Sequence, residues 1–337
     1  MLVPAKDEEE NIENCIKSLL AQDYPNFEII AIDDRSKDRT LEILKSFEQK
    51  DKRIKVVEVK ELPEGYTGKN HALIDGLKHT KGEWLLFIDA DTVHDPRTLA
   101  AAMNYALKKD LDSLSVEPQF EWNRFFQKLT FPILALGTAC MFPIFTVNKK
   151  GSKVTLSNGQ YLMVKREVYE ACGGHEKIKG KILEDVALIE NIKAKGFSYH
   201  LIMGRGMEKV RMYRDIKSFW RGWGRILFLG MKRNLLSSII LFLLSFTISL
   251  LPFLILTFII VSPHLFELLR LILILDLVVI TQIFVINGFI HYIFNVNVLY
   301  TLLHPFSVIS AMGVLGNSVY MGSRKKEIEW KGSKYKV

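Results

Sequence analysis

Three acidic clusters occur in order along the first 185 residues: Asp33-Asp34, Asp89-Ala90-Asp91 and Glu184-Asp185. Carboxylates grouped in this way can do two kinds of chemistry. Ionised, they ligate hard cations, and magnesium is often held by one or two carboxylates together with substrate phosphates. Set against a hydroxyl and tuned in pKa, a carboxylate takes a proton as general base. An Asp-x-Asp pair at a strand end can direct one carboxylate to a ribose and the other to a metal–diphosphate. A single Asp pair proves little, because Asp is common at strand ends; three ordered clusters carry more weight. The chain has neither Gly-x-Gly-x-x-Gly nor a Walker sequence, so dinucleotide and P-loop readings fall away. Cys15, Cys140 and Cys172 make no metal-binding spacing, which fits structural thiols in a reducing compartment.

The elements that must hold these carboxylates alternate. Leu2-Val3-Pro4 reads as the end of a strand. Residues 9–22 place Ile12, Cys15, Ile16, Leu19 and Leu20 at helical spacing. Strands are predicted at 27–32, 54–59 and 83–88, and helices at 39–49, 69–78 and 95–109, the last opened by Asp95-Pro96. Strand and helix alternating at this spacing mean an α/β domain with a largely parallel, Rossmann-like sheet. Ligands in such sheets sit at the C-terminal strand ends, where Asp33-Asp34 and Asp89–Asp91 fall. The first strand is short: three residues precede Pro4, where a central strand usually has about five or six. This predicts a natural start upstream of Met1.

Charge divides the 337-residue chain. Residues 237–321 hold three formal charges, Glu267, Arg270 and Asp276, and the rest of the chain holds the other 79. Runs at 237–261, 271–290 and 299–321 are long enough to span a bilayer, although Asp276 lies inside the second and Pro305, Gly313 and Gly316 interrupt the third. Three crossings would leave the basic tail outside, against the positive-inside bias, so the third run is expected to be re-entrant or interfacial. The overall +8 lies in two collars: residues 205–236 are net +7 and residues 322–337 net +4, while residues 1–204 are net −2. Both collars flank the apolar block and suit the anionic cytoplasmic leaflet; a merely solvated surface is the alternative. Nucleic acid is not an expected partner, because no nucleic-acid motif accompanies the basic residues. Residues 129–147 are also charge-free, but a crossing there would separate the second and third acidic clusters. With Pro132 and Pro143 and flanking Arg124, Lys128, Lys149 and Lys150, the segment 125–147 is expected to lie in the interface. Asp276 is a functional candidate by position, or else pairs with Arg270 or sits near an interface.

Three stretches carry a family resemblance: VPAKDEEENIENCIKSLLAQDYPNFEIIAIDDRSKDRT, GYTGKNHALIDGLKHTKGEWLLFIDADT and GQYLMVKREVYEACGGHEKIKGKILEDVAL. In this order, over nearly all of residues 1–200, the chain resembles the family 2 glycosyltransferases with the GT-A nucleotide-sugar fold. The resemblance implies a GT-A catalytic domain at 1–204; charge and hydropathy add a basic amphipathic juxtamembrane region at 205–236, a helical transmembrane region at 237–321 and a basic cytoplasmic tail at 322–337. Pro4, Ala5 and Glu8 match the opening loop that borders the nucleotide. Asp33 and Asp34 match the pair that contacts base and ribose, and Lys69 the basic residue of the Gly-Lys-Asn turn. Asp89 and Asp91 match the DxD carboxylates, with Asp91 as ligand to a divalent cation, Mg2+ or Mn2+. Asp185, beside Glu184, matches the base that deprotonates the acceptor.

Lipid-using and polymerising relatives carry Gln-x-x-Arg-Trp near residue 220. This chain departs from it with Trp220-Arg221-Gly222-Trp223-Gly224-Arg225. Trp220, Arg221, Trp223 and Arg225, with Glu184, are candidates to cover the acceptor and touch the diphosphate; an amphipathic interfacial helix anchored by aromatics is equally open. The departure argues against a polysaccharide synthase. The chain is similar to the non-processive group around ceramide glucosyltransferase and the carotenoid and hopanoid glycosyltransferases, whose tails resemble Ile328-Glu329-Trp330-Lys331-Gly332. The expected activity is therefore an inverting, metal-dependent hexosyl transfer (EC 2.4) from a nucleotide-sugar, UDP-linked, to a hydroxyl of a membrane lipid. The expected location is the cell membrane, multi-pass, with the catalytic domain cytoplasmic. A polyprenyl-phosphate glycosyltransferase is the alternative, and a non-catalytic scaffold a remote third. His175, after Gly173-Gly174, is expected in a surface loop.

Overall fold

Strands that are apolar on both faces need cover on both faces, and the first two hundred residues supply it. The computed structural model describes residues 1–120, 122, 124–210, 215–230, 235–262, 264, 266–324, 327–330 and 333–336. Arg211, Arg214, Lys232 and Arg233 of the basic collar, and Lys325, Lys326, Lys331 and Gly332 of the tail, lie outside the described residues. The chain forms two compact units. The first is Met1–Glu121, Phe142–Arg211 and Glu329–Tyr335; the second is Trp122–Met141, Met212–Ile328 and Lys336–Val337.

In the first unit the elements run β1 (Leu2–Ala5), α1 (Ile12–Leu20), β2 (Ile29–Asp33), α2 (Thr40–Glu48), β3 (Ile54–Glu58), α3 (Gly68–Leu77), β4 (Trp84–Ile88), β5 (Thr92–His94), α4 (Thr98–Lys108), β6 (Ser113–Glu117) and β7 (Gln119–Phe120). After α5 (Phe125–Met141), which belongs to the second unit, come α6 (Ile144–Val147), β8 (Tyr161–Lys165), α7 (Arg166–Ala171), a 3-10 turn (His175–Ile178), α8 (Glu184–Ala194), β9 (Tyr199–Met203) and β10 (Glu208–Val210).

A seven-stranded sheet has the order β3-β2-β1-β4-β8-β6-β9. Every adjacent pair is parallel except those of β8, which runs antiparallel to both β4 and β6. Alternation along the strands sends Val3, Ala31, Leu86, Ile88 and Met163 into one core with Ile12, Cys15, Ile16 and Leu19 of α1. Leu2, Ile32, Leu85, Phe87 and Leu162 enter the opposite core with Ala72 and Leu73 of α3 and Leu188, Ile189 and Ile192 of α8. Each fully buried Leu or Ile here contributes about 1.5–3 kcal/mol of transfer free energy. The strand order sets the site: β1, β2 and β4 have their C-terminal ends at the same end of the sheet, and Ile88↔Tyr161 pairing brings the start of β8 to that end.

The second unit contains α5, α9 (Ile216–Gly230), α10 (Leu235–Ser245), a π-helical turn (Phe246–Leu250), α11 (Leu251–Val261), α12 (Phe266–Ile293), a 3-10 turn (Val298–Leu303) and α13 (His304–Arg324). A further short pair, β11 (Glu327–Trp330) and β12 (Ser333–Lys336), closes the chain. Three stretches are long and apolar enough to cross a membrane: Ile239–Val261, Leu269–Ile293 and Val298–Tyr320. The third is not broken as expected. Pro305 lies in the first turn of α13, where a missing N–H costs nothing, and Gly313 and Gly316 lie inside a continuous helix. Its 21 residues extend ~32 Å at about 1.5 Å per residue. Residues 125–147 form two helices in different units: α5 buries Phe131, Leu134 and Ala135, and Thr130 Oγ1 meets Ser310 Oγ of α13 at 2.7 Å. Val147 of α6 is fully buried in the first unit's core.

Candidate active site

The loop after β1 is tied to the loop after β2 by its own backbone. Asp7 N donates to Ser36 Oγ (3.1 Å), Glu8 N to Thr40 Oγ1 (2.8 Å), and Lys37 N to Asp7 Oδ1 (2.7 Å). These bonds hold Asp7 in the left-handed region, at φ 53°. Glu8 Oε2 accepts from Asn11 Nδ2 at 2.7 Å. The Asp34 N–H donates to the Ala5 carbonyl at 2.8 Å, which joins Pro4-Ala5 to Asp33-Asp34. Asp33 and Asp34 are both buried. Burial pushes the Asp33 carboxyl above its ordinary range, against the lowering effect of Ser36. Its Oδ2 accepts from Ser36 N, and its buried Oδ1 has no partner among the described residues. Asp34 is paired with Arg35, whose guanidinium lies 2.6 Å from Oδ1.

β4 ends at Ile88, and the chain turns at Ala90-Asp91; Ile88 and Ala90 are buried in the core, whereas Asp89 and Asp91 are half-buried. Thr92 fixes this turn by donating Oγ1–H to the Asp89 carbonyl at 2.8 Å. Lys69, in the first turn of α3, reaches Asp89 Oδ1 at 2.6 Å and Glu184 Oε1 at 2.6 Å. Burial works against the Lys69 ammonium, but Asp89 and Glu184 outweigh it and raise its pKa, so it stays charged. Gly159 permits this approach: a Cβ there would lie 3.2 Å from Lys69 Nζ and 3.4 Å from Glu184 Oε1.

Glu184 and Asp185 open α8, where the helix N-terminus favours negative charge. Burial nevertheless pushes the Asp185 carboxyl up to about 7; Glu184 adds to the rise and Lys69 opposes it. The site thus brings together Lys69, Asp89, Glu184 and Asp185. Trp220, Arg221, Trp223 and Arg225 lie on α9 of the second unit. There the Trp220 ring occupies the space beside Gly313, Trp223 packs edge-on to Phe131, and Arg221 is exposed.

Several residues that shape the site carry no signal in spacing. Asn70, fully buried, donates Nδ2–H to the carbonyls of Ile178, Lys179 and Lys181 at 3.0, 3.0 and 3.2 Å. The Lys179 carbonyl also accepts from Thr67 N at 2.9 Å. The segment leading to Glu184 is therefore fastened to the start of α3. Glu117, ending β6, accepts from Asn158 Nδ2 at 3.2 Å, and burial raises its pKa.

His175 is not a surface loop residue. It is 1% exposed, its ring meets Phe87 edge-on, and its Nδ1 lies 2.8 Å from Tyr169 Oη. Burial, then Lys69, lower its pKa to about 3, so it is neutral. Tyr169 Oη also accepts the His175 backbone N–H at 2.8 Å. Gly174 makes this closure possible at φ 49°, ψ −151°, and a Cβ would collide with the Tyr169 ring. Gly174→Ala should destabilise the protein by about 2 kcal/mol or more. A chemical denaturation midpoint unchanged from wild type would contradict this.

Residues 1–171 match the family model for glycosyl transferase family 2. The chain belongs to that family. It is 26% identical over 250 residues to the 4,4'-diaponeurosporenoate glycosyltransferase of Staphylococcus aureus, covering 72% of this chain. The chain spans 65% of the length of that relative. Among solved structures it is similar to the mannosyltransferase PcManGT from Pyrobaculum calidifontis, in complex with GDP-Man and Mn2+, at TM-score 0.51 and 20% identity, over 69% of this chain and 63% of that one. Staphylococcus aureus TarS 1–349 in complex with UDP-GlcNAc aligns over 100% of this chain and 95% of that one, at TM-score 0.48 and 16% identity. The fold is accordingly the mostly parallel GT-A architecture of the family, with three apolar helices of spanning length in the C-terminal region.

Proposed function

We propose that this family 2 member is an inverting glycosyltransferase that moves a sugar from a UDP-sugar to a hydroxyl of a membrane lipid. The observation that carries the reading is Asp185, a carboxyl poised at about 7 beside the Lys69–Asp89 and Lys69–Glu184 pairs. A base with that pKa is half ionised at neutral pH and can accept a proton. Sugar transfer with inversion is one in-line displacement. The acceptor oxygen bonds to the anomeric carbon, the bond to the diphosphate breaks, and the hydroxyl proton passes to Asp185. Pro4, Ala5, Glu8, Asp33, Asp34 and Asp89 are assigned to the nucleotide-sugar, and the unpartnered Oδ1 of Asp33 supports a donor with N–H or O–H groups.

A divalent cation, Mg2+ or Mn2+, fits this donor set. Asp91 offers a hard oxygen in the turn that follows β4, two residues beyond Asp89. No group of three His, Cys, Asp or Glu gathers as a metal cluster among the described residues, which suits a cation completed by substrate phosphates. When bound, such an ion neutralises charge on the departing diphosphate. Glu184, Trp220, Arg221, Trp223 and Arg225 are assigned to acceptor and diphosphate. The apolar helices and the basic residues flanking them support a multi-pass membrane protein with the catalytic unit cytoplasmic. A lipid acceptor is also supported by the relative, whose name specifies a glycosyltransferase acting on diaponeurosporenoate.

The transfer rate should follow the ionised fraction of Asp185. Below about 7 the carboxyl takes up its proton, and the rate should fall about tenfold per pH unit. Lys69 lowers this pKa, so Lys69→Met should move the acid limb to higher pH by about one unit or more. A limb that stays in place in Lys69→Met would detach Lys69 from the base. The reading as a whole is tested by incubating the full chain in lipid nanodiscs with a panel of UDP-sugars and a bacterial lipid extract. A glycolipid stable to mild acid is expected. An acid-labile product would mean a polyprenyl-phosphate acceptor instead, and no sugar-bearing lipid from any donor would remove the transferase assignment.

A further inference from the structure

Pro252 interrupts the first spanning segment. It has no N–H to offer the Ile248 carbonyl, and its ring crowds the preceding turn. The backbone widens into the π-helical turn Phe246–Leu250, leaving Pro252 in the first turn of α11. Such turns are rare and frequently mark functional positions. Beside it lies a groove of about 410 Å³, lined by Thr247, Leu251 and Ile255 on one side and by Leu275, Asp276 and Val279 of α12 on the other. That volume falls within the range of small-ligand sites, about 300–1,000 Å³.

Asp276 is the one ionisable side chain in a mostly apolar lining, and the other polar group, the Thr247 hydroxyl, is already bonded to the Leu243 carbonyl at 2.9 Å. It is 7% exposed, and its buried Oδ2 has no hydrogen-bond partner among the described residues. Arg270 does not answer it: six residues apart on a helix are not on one face, and Arg270 is exposed. A buried carboxyl oxygen without a donor is unfavourable, and more so in an apolar surround. A ligand that donates a hydrogen bond removes this penalty, and the apolar walls accept its hydrocarbon. Both lining segments are long and apolar enough to cross a bilayer, so the surrounding medium supplies lipids.

We propose that the Asp276 groove binds a neutral lipid bearing a hydroxyl, with the hydroxyl donating to Asp276 and the chain lying along Leu251, Ile255 and Val279. A hydroxyl is favoured over an amine because burying an ion pair desolvates two charges. None of the residues assigned to sugar transfer lines this groove, so the site stands independently of that reading.

The test uses the full chain in nanodiscs, photolabelled with a diazirine-bearing long-chain alcohol, its methyl ether and the corresponding amine. Labelled peptides are quantified by mass spectrometry. In wild type the alcohol should label peptides covering residues 247–255 and 272–279 about fivefold more than the ether, the effect of one hydrogen bond. Asp276→Leu should bring alcohol labelling down to the ether level, while Asp276→Asn, which keeps a carbonyl acceptor, should retain most of it. Ile255→Trp fills the groove without altering Asp276 and should lower labelling by both probes. Equal labelling by alcohol and ether in wild type would overturn the proposal. So would a preference for the amine, or undiminished labelling in Ile255→Trp.

Discussion

Asp185→Asn should bind UDP-sugar as wild type does and transfer sugar roughly 10²- to 10⁴-fold more slowly, the usual contribution of a positioned base. Asn matches Asp in size and keeps an oxygen acceptor, but its amide takes no proton in this pH range. The loss should therefore appear in turnover and not in donor affinity. Folding should respond in the opposite direction. The native carboxyl is held near 7, above its ordinary value of 3.8, chiefly by burial. Its ionisation thus works against the folded state, fully so above about 7 and not at all below the ordinary value. The variant should be as stable as wild type in acid and more stable at pH 8. Donor titration, single-turnover transfer and thermal melts at two pH values check these outcomes together. Wild-type turnover in the variant would remove Asp185 as the base.

Asp91→Asn should lower transfer by roughly 10²- to 10³-fold, since a metal supplies several kcal/mol of charge stabilisation at a departing diphosphate. Excess Mn2+ should restore part of the rate, because the substrate phosphates still offer ligands. Asp89 has a different environment: Lys69 already holds its Oδ1 at 2.6 Å. Asp89→Asn should leave Lys69 with Glu184 alone, and added metal should not repair that loss. Chelation of wild type is the companion measurement. Activity undiminished in EDTA would exclude a metal role for Asp91.

What could be read from the residues was what depends on near neighbours. Ile12, Cys15, Ile16 and Leu19 announce a helix by spacing, and all four are buried in one core. The positions of Asp33-Asp34 and Asp89–Asp91 after strands follow from alternation that extends along the chain. The direction of β8 was not legible, because a strand has the same apolar pattern in either orientation. Nor was the burial of His175, which depends on Tyr169 folding back over Gly174. Nor was the role of Asn70, whose three carbonyl acceptors come from more than a hundred residues away. Pro305, Gly313 and Gly316 did not break α13, because Pro305 falls in its first turn and the two glycines lie within its continuous backbone.

The amide of Asn70 has a kinetic meaning. Two hydrogens serving three carbonyls lock residues 178–181 to the helix that presents Lys69. Lys69 and Asp185, proposed as the charge beside the donor and as the base, are consequently linked through one hydrogen-bonded segment. Their separation is expected to vary on the fast scale of packed side chains, picoseconds to nanoseconds. A slower step that paces turnover, of the microsecond-to-millisecond kind common in enzymes with closing loops, is then expected outside this segment.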